Sequence, residues 1–291
     1  MDEDSDRVRV RYLPTEEVFG LLDNETRLGI LQALAERTET PTSFSELREA
    51  VGTRDSGKFN YHLGKLVGHF VRRDDDGYRL TLAGMQMMGA ILSGTYTADA
   101  EIDPIDLDDP CPNCGVDGLL VEYEDERVEM HCTACEDWSN SFTFPPGAVT
   151  QYDYDELPEV FDRWLRTVFE RIEMGFCPTC SGRMDGRLEL TPDAPEPARA
   201  HFECRRCGDF ARASPTLPLL YHPAVLGFYY DHGIDLTETP SWRVSGQESL
   251  TTDLLSDDPP RVRVSIAVDD ESLVAVVDES LEVVSVDRSV G

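Results

Sequence analysis

Lysine is nearly absent from this sequence. Of its 26 basic residues only Lys58 and Lys65 are lysines, and 57 Asp and Glu residues bring the formal charge to −31 at pH 7. Both lysines lie in residues 54–79, where six basic residues outnumber four aspartates. The rest of the chain sums to −33, so we expect any surface that approaches a polyanion to lie in this one segment.

Long apolar runs are also missing. No stretch of about 18 apolar residues is present to span a membrane, and the acidic start MDEDSD is not followed by the apolar segment of a secretory signal. We therefore expect a cytoplasmic protein with no membrane partner. The spacing of the eight cysteines, described below, argues for metal binding rather than for disulfides.

Catalytic signatures are absent as well. The sequence contains no Ser/His/Asp set, no phosphate-binding loop and no carboxylate pair in a recognisable context, so we expect no enzymatic activity. Apolar periodicity runs along most of the chain, which disfavours a disordered acidic protein. A length of 291 residues is enough for two or three domains.

What is present begins with helical periodicity over residues 15–94. Asp23 or Asn24 is placed to cap a first helix. Ser43, with Glu46 three residues later, predicts a capping box at the start of a short second helix. The order of these elements indicates a helical N-terminal domain.

A third helix is predicted over residues 56–70, capped by Asp55 or Ser56. The apolar positions that predict its buried face are Phe59, Leu63, Leu66, Val67 and Phe70. A β-hairpin with Asp-Gly at its tip is predicted over residues 71–80, followed by a last helix over residues 81–92. This order is typical of a winged helix-turn-helix.

The N-terminal third resembles a known family. The runs FGLLDNETRLGILQALAE, SFSELREAVG and SGKFNYHLGKLVGHFV, with TLAG after the hairpin, resemble the winged-helix domain of ArsR-like transcriptional regulators in the form common in halophilic archaea. The acidic, lysine-poor composition is similar to that of proteins from such organisms. The resemblance covers about residues 12–94 and implies DNA binding, usually by a dimer. Residues 1–110 contain no cysteine, so metal sensing by cysteines in the helix-turn-helix is not expected.

The polar face of the third helix is the predicted DNA-reading surface. Asn60 is suited to adenine, Lys58 to guanine or phosphate, and Tyr61 to the DNA backbone or a thymine methyl. Arginines of the hairpin are placed for flanking phosphates or the minor groove. The predicted DNA-binding residues are Ser56, Lys58, Asn60, Tyr61, Lys65, Arg72, Arg73 and Arg79. The alternative is a solvated helix face with no partner.

Four CxxC motifs account for all eight cysteines. The predicted metal ligands are Cys111, Cys114, Cys132 and Cys135 in a first set and Cys177, Cys180, Cys204 and Cys207 in a second set. A CxxC turn places two sulfurs on one side of a knuckle, and two knuckles joined by a hairpin complete a tetrahedron around Zn²⁺. The interval of 17 residues between the knuckles of the first set is within the usual range for a zinc ribbon, and the interval of 23 residues in the second set is slightly long. We predict two structural zinc ions per chain.

Two other uses of the cysteines fit the sequence less well. A redox CxxC requires one exposed pair in a thioredoxin-like context, and a catalytic zinc requires an open coordination position that four thiolates do not leave. Gly115 follows the first knuckle and permits its backbone turn. Ser181 stands at the equivalent place in the second set and makes that set the weaker match.

The chain is thus predicted to have an α+β fold in five segments. They are a winged helix-turn-helix domain at residues 1–95, an acidic linker at 96–110, a zinc ribbon plus helix at 111–175, a second zinc ribbon plus helix at 176–232, and a β-rich region at 233–291. In the last segment we expect a three-stranded antiparallel meander from Pro260 onward.

The function that these features favour is sequence-specific transcriptional regulation. The expected partners are double-stranded DNA and a second copy of the chain, with the apolar helix at residues 81–92 as the candidate dimer surface. One alternative is a general initiation or polymerase-associated factor that contacts the transcription machinery. Another is a protein-interaction scaffold whose winged helix does not bind DNA.

Overall fold

The computed structural model describes residues 10, 12–37, 39–135, 137–192, 194, 196–246 and 249–290. In this part of the chain the architecture is mixed α/β, with four antiparallel sheets. The chain divides into two compact units, an N-terminal unit of residues 1–98 with 145–147 and a C-terminal unit of residues 99–144 with 148–291. The start MDEDSD, on which the expectation of no secretory signal rests, lies outside the described residues.

Helices and one hairpin make up the described residues from 10 to 98. They are α1 (Thr15–Gly20), α2 (Glu25–Ala35), α3 (Phe44–Ala50), α4 (Ser56–Leu66), β1 (Val71–Asp74), β2 (Gly77–Leu80) and α5 (Leu82–Leu92). Their apolar faces meet in one core, which contains Ile30, Leu31, Leu34, Leu47, Phe59, Leu63, Leu66, Phe70, Val71 and Met88. The predicted order of elements is therefore confirmed.

The predicted helix caps are present as hydrogen bonds. Asn24 accepts a backbone N–H in the first turn of α2 at 3.2 Å, and Ser43 with Glu46 forms a capping box on α3. Asp55 accepts two backbone N–H groups of α4 at 2.8 and 3.0 Å. A further cap that was not predicted is Thr81, whose side chain accepts a backbone N–H of α5. Each cap satisfies N–H groups that have no partner inside the helix, so these local signals fix where the helices begin.

The helix predicted over residues 56–70 is shorter than expected. It ends at Leu66, because Val67 adopts an extended conformation with ψ 130°. Gly68 follows with φ +90°, a conformation that glycine adopts readily. Phe70 is still buried in the same core, so the apolar spacing that predicted it to be helical reflects burial rather than helix.

The hairpin is anchored by a third backbone segment. Its register pairs Asp74 with Gly77, and Tyr78 exchanges two backbone hydrogen bonds with Thr42, at 2.9 and 3.0 Å. Gly77 has φ +148°, and a Cβ there would lie 2.6 Å from the Thr42 carbonyl oxygen. Glycine is therefore required where the hairpin meets this segment.

The first sheet of the C-terminal unit corrects the predicted linker. Its strands, in spatial order, are β3 (Ile102–Pro110), β4 (Asp117–Glu124), β5 (Arg127–Cys132) and β6 (Ser139–Thr143). Most of residues 96–110, predicted to be an acidic linker, form β3, so that prediction is wrong. Ile105 is buried against the sheet while the acids beside it face outward. Buried and exposed residues alternate along this strand, but the many acidic residues made the segment resemble a linker.

A short helix and a long one follow this sheet. They are α6 (Pro146–Val149) and α7 (Leu157–Glu173). The first half of α7, at Leu157, Val160 and Phe161, packs in the core of the first sheet. Its second half reaches a different core through Ile172. Helix α7 therefore links two cores within this unit.

The remaining elements form two sheets and three helices among the described residues. They are β7 (Met184–Leu190), β8 (Ala198–Cys204), β9 (Phe210–Ala213), α8 (Leu217–Leu220), α9 (Pro223–Asp231), α10 (Ser241–Gly246), β10 (Ser249–Asp257), β11 (Pro260–Val268), β12 (Glu271–Val277) and β13 (Val283–Val290). The predicted three-stranded meander is instead four-stranded, in the order β10-β11-β12-β13. Strand β10 was missed because Leu250, Leu254 and Leu255 are exposed and show no buried face.

Two cores hold the C-terminal unit together. The smaller belongs to the first sheet and includes Trp242 of α10. The larger lies between the sheet β7–β9 and the sheet β10–β13, through residues such as Phe202, Val264 and Ala275. The predicted divisions at residues 175/176 and 232/233 therefore do not separate compact units. In the described part of the chain, no helix has the length and apolar character needed to cross a membrane.

Candidate functional site

Four sulfurs converge at one end of the first sheet. The knuckle between β3 and β4 contributes Cys111 and Cys114, and the knuckle after β5 contributes Cys132 and Cys135. Their Sγ atoms all lie within 4.8 Å of one another. The Sγ atoms of Cys111 and Cys135 are 3.7 Å apart, as are those of Cys114 and Cys132. We call this sheet with its knuckles, residues 102–143, the first four-cysteine unit.

The second set converges in the same way. The knuckle before β7 contributes Cys177 and Cys180, and the knuckle between β8 and β9 contributes Cys204 and Cys207. The Sγ atoms of Cys177 and Cys207 are 3.7 Å apart, and those of Cys180 and Cys204 are 3.5 Å apart. We call residues 177–213 the second four-cysteine unit. Each predicted set of four ligands is thus brought together.

The sulfur geometry fits a metal ion. A tetrahedral zinc with Zn–S bonds of about 2.3 Å holds its sulfurs about 3.8 Å apart, close to the observed separations, whereas a disulfide needs about 2.05 Å. All eight cysteines are free. Each set lies partly in a core, since Cys111, Cys132, Cys177 and Cys204 are buried. Both four-cysteine clusters could therefore hold a metal ion.

The four knuckles share one backbone frame, which is a hydrogen bond from the N–H of the first cysteine to a carbonyl five or six residues later. In three of them the N–H of the first cysteine donates to the carbonyl five residues later, as from Cys111 to Val116, Cys177 to Gly182 and Cys204 to Asp209, at 2.8 to 2.9 Å. In the fourth, Cys132 donates to Trp138, six residues later, at 3.2 Å. One knuckle of the first four-cysteine unit is thus one residue longer than its counterpart.

Backbone N–H groups point at the sulfurs. Those of Ala134 and Cys135 lie 3.3 and 3.4 Å from the sulfur of Cys132. Burial raises the pKa of the Cys132 thiol, but these donors outweigh it and the pKa falls to about 7. Hydrogen bonds to sulfur, chiefly from the Cys207 N–H, lower the pKa of the Cys204 thiol to about 6. One sulfur of each cluster therefore favours the thiolate, the form that binds metal, whereas burial raises the pKa of the Cys111 and Cys177 thiols.

Ser181 occupies the same left-handed backbone position as the glycine of the first knuckle. It adopts φ +55°, close to the φ +69° of Gly115 at the same place in the first four-cysteine unit. The glycine requirement falls one residue later, at Gly182. A Cβ there would lie 3.0 to 3.1 Å from Arg206 Cβ and from the sulfurs of two ligands.

Sequence reasoning missed a carboxylate beside the second cluster. An Asp209 oxygen accepts a hydrogen bond from the Thr179 hydroxyl at 2.7 Å and lies 3.6 Å from the Cys177 sulfur. This contact joins the two knuckles outside the metal-binding sulfurs. The threonine in CPTC and the aspartate two residues after CRRC are visible in the sequence. Neither residue type has a characteristic spacing from metal-binding cysteines, so the contact could not be predicted.

The predicted DNA-reading face of α4 is exposed. Ser56, Lys58, Asn60, Tyr61 and Lys65 all face solvent, and Tyr61 is 60% exposed. The lysine ammonium of Lys65 lies 5.8 Å from the centroid of the Tyr61 ring. The opposite face, through Phe59, His62, Leu63 and Leu66, is buried. Helix α4 is thus held by one face while it presents both lysines of the chain.

The three hairpin arginines are not equivalent. Arg72 and Arg79 both lie within ion-pair distance of Asp74, at 3.4 and 3.6 Å. Arg73 is exposed and its guanidinium lies 5.8 Å from the centroid of the Tyr78 ring. Asp74 therefore neutralises part of the charge that the sequence alone assigns to the hairpin.

These features define a class of protein with a capped helical unit, a hairpin, and two four-cysteine clusters able to bind metal. Residues 108–283 match the model of the family described as Domain of unknown function (DUF7351), and the chain belongs to that family. Residues 15–91 match a second model, Domain of unknown function (DUF7347). No curated protein and no solved structure matches the chain.

Proposed function

We propose that the protein is a sequence-specific, double-stranded-DNA-binding transcriptional regulator of the ArsR-like winged helix-turn-helix kind. In this proposal α3 and α4 form the helix-turn-helix and the β1–β2 hairpin forms the wing. The observation that carries it is the exposed face of α4, where the only two lysines of a chain with charge −31 lie with Asn60 and Tyr61. A helix in the major groove reads bases with side chains of these types.

The two four-cysteine units are proposed to be zinc ribbons with a structural role. Four thiolates complete the coordination of Zn²⁺ and leave no position for a substrate, so the proposal includes no enzymatic activity. Zinc bound there would stabilise the folded C-terminal unit, because the sites exist only when the knuckles are formed.

A homodimer is part of the proposal. Helices α1 and α5 expose several large apolar side chains, namely Phe19, Leu82, Met85 and Leu92, each at least half exposed. Burial of such a patch against a second copy would remove apolar surface from water. Light scattering is expected to give twice the 32.6 kDa chain mass, and a monomer mass over the working concentration range would contradict the dimer.

The test is selection of bound sequences from a random duplex library in about molar KCl, where non-specific electrostatic binding is weak. We expect enrichment of one short palindromic motif. Lys58→Glu should abolish the enrichment, and Asn60→Ala should weaken binding to the motif by roughly tenfold to hundredfold. Arg127→Glu, which makes the same charge change in the first four-cysteine unit, is the matched control and should bind like the unaltered protein.

Two outcomes would overturn the proposal. Enrichment of no motif by folded, zinc-loaded protein would favour the scaffold alternative. Occupancy of nearly all promoters in cells would favour a general initiation factor.

A further inference from the structure

The outer face of the second four-cysteine unit contains a row of three nitrogen-bearing side chains. The register places Arg187 of β7 opposite His201 of β8, and His201 opposite Arg212 of β9. Side chains alternate between the two faces of a strand, and the neighbours Leu188 and Ala200 are buried in the core. The row therefore lies on the face directed away from the core, where it lines a cavity of about 230 Å³.

An exposed aromatic ring stands beside this row. Phe210 is 60% exposed, and its ring lies nearly parallel to that of His201, with centroids 6.3 Å apart. The guanidinium of Arg212 lies 5.4 Å from the Phe210 centroid. Leaving a phenyl ring in water is unfavourable, and a planar ligand stacked on it would remove that cost.

The polar groups of the row differ in their capacity for a ligand. His201 is only 6% exposed, yet its Nδ1 has no hydrogen-bond partner in the described part of the chain. Carboxylates flank both ring nitrogens, Glu189 at 3.7 Å from Nδ1 and Glu203 at 3.9 Å from Nε2, so the row offers a ligand its arginines rather than His201. Arg212 has no carboxylate within ion-pair distance among the residues described.

The equivalent face of the first four-cysteine unit is acidic and has no arginine at the matching positions. Counted from the third cysteine of each set, the positions of Arg187, His201 and Arg212 correspond to Glu122, Glu129 and Ser141. Residues 177–213 contain six arginines and six carboxylates, whereas residues 111–143 contain one arginine and eight carboxylates. One frame thus supports an acidic face in one unit and, in the other, an aromatic face on which arginines and carboxylates balance.

The exposure of the aromatic side chain is also specific to the second unit. Both units have an Asp-aromatic pair after the last knuckle, Asp137-Trp138 and Asp209-Phe210. The longer knuckle of the first unit shifts its strand by one residue, so Trp138 packs against the core while Phe210 faces solvent. A shift of one residue exchanges the faces of a strand.

We propose that this face, formed by Arg187, His201, Phe210 and Arg212, binds single-stranded nucleic acid. A base stacks on Phe210, and the adjacent phosphates accept hydrogen bonds from Arg212 and Arg187. An unpaired strand fits better than a duplex, because bases inside a duplex are already stacked. The carboxylate of Glu203, 3.7 Å from Arg187, limits the face to one or two phosphates. The proposal is independent of duplex reading by α4.

The test measures fluorescence anisotropy of a labelled oligothymidylate of about 12 nucleotides with full-length, zinc-loaded protein in about 1 M KCl. Phe210→Ala and Arg212→Glu are each expected to weaken binding by roughly tenfold to hundredfold. Phe210→Tyr keeps the stacking ring and should retain binding. Arg127→Glu, an equal charge change on the other four-cysteine unit, should have no effect, and neither should Lys58→Glu in α4.

Zinc content and circular dichroism of each variant establish that loss of binding is not loss of fold. Three results would overturn the proposal. They are absence of binding by the unaltered protein, equal binding by Phe210→Ala and Arg212→Glu, and equal competition by a polyglutamate peptide of the same charge. Loss of single-strand binding in Lys58→Glu would place the strand on α4 instead.

Discussion

The two four-cysteine units place their sulfurs on the same knuckle frame but differ in what surrounds it. The first has four strands and a core of its own, to which Trp242 and the first half of α7 contribute. The second has three strands and shares its core with the sheet β10–β13. The comparison teaches that the geometry of a metal site is local, whereas the effect of losing the metal depends on which core the site supports.

Loss of one ligand should give the largest effect and the clearest contrast. Structural zinc contributes on the order of 10 kcal/mol of apparent binding free energy, comparable to the total stability of a domain. Cys177→Ser should therefore unfold the core that includes β11 and β12, whereas Cys111→Ser should unfold only the first sheet. Hydrogen exchange measured by mass spectrometry, with metal content determined in parallel, checks both. Unchanged protection of β11 and β12 in Cys177→Ser would show that the shared core does not depend on the metal.

Gly182→Ala should have the next largest effect. The added Cβ would lie 3.1 Å from the sulfurs of Cys180 and Cys204, so the ligands must move apart. Metal affinity at the second site should fall by tenfold or more, measured by competition with a chelator. The matched control is Val116→Ala, because Val116 occupies the same place in the first knuckle and is 49% exposed. Equal effects of the two changes would mean that the packing of Gly182 is unimportant.

A pH-dependent effect is expected in the second core. Burial, with Glu282 nearby, raises the pKa of Glu173 at the end of α7 to about 7, and its Oε1 has no hydrogen-bond partner among the described residues. A raised carboxyl pKa means that the folded state holds the proton more tightly, so stability falls as pH rises from about 4.5 to about 7.

Glu173→Gln should therefore be more stable than the unaltered protein above pH 7 and equal to it below about pH 4.5. The full shift corresponds to about 3 kcal/mol, and because Glu173 is only partly buried, solvent screening reduces the expected gain to about 1–2 kcal/mol. Denaturant unfolding at several pH values measures the difference. A gain that is the same at all pH values would assign the effect to packing and not to ionisation.

The smallest effect is expected from the left-handed position after the first knuckle of each set. Gly115→Ser places a side chain at φ +69° and should cost about 1 kcal/mol. Ser181→Gly relieves the same strain in the folded state, but it also raises the conformational entropy of the unfolded chain. The two effects oppose each other, so the free energy of unfolding should change by less than about 0.5 kcal/mol. Thermal unfolding of both variants measures the asymmetry. A larger effect of Ser181→Gly than of Gly115→Ser would show that the Ser181 side chain has a role of its own.

Local signals in the sequence predicted local structure well. The caps at Asn24, Ser43 and Asp55 and the four CxxC turns act within a few residues, and their elements formed as expected. Strand β3 was missed because its exposed positions are acidic, and β10 because its leucines are not buried. The end of α4 was misplaced because Phe70 is buried in the same core without being helical.

Contacts between segments far apart in the sequence could not be predicted from these local signals. Trp242 donates a hydrogen bond to Asp109 at 2.8 Å across 133 residues of sequence, and nothing in either segment indicates the other. The same holds for the core shared by the second four-cysteine unit and the last sheet. The eight cysteines were predicted to be metal ligands from the spacing of their CxxC motifs. The contact between Asp209 and Thr179 was not predicted, because side-chain hydrogen bonds leave no regular spacing in the sequence.

Helix α7 has a consequence for how the two sites fill. Its first half packs in one core and its end in the other, and a helix is stiff over 17 residues. When one core is ordered, the part of α7 that packs in the other core is ordered as well. The conformational entropy that is lost when the second ion binds is therefore smaller. Loading of one site should therefore raise the metal affinity of the other, so that α7 is the element through which two separate sites influence each other.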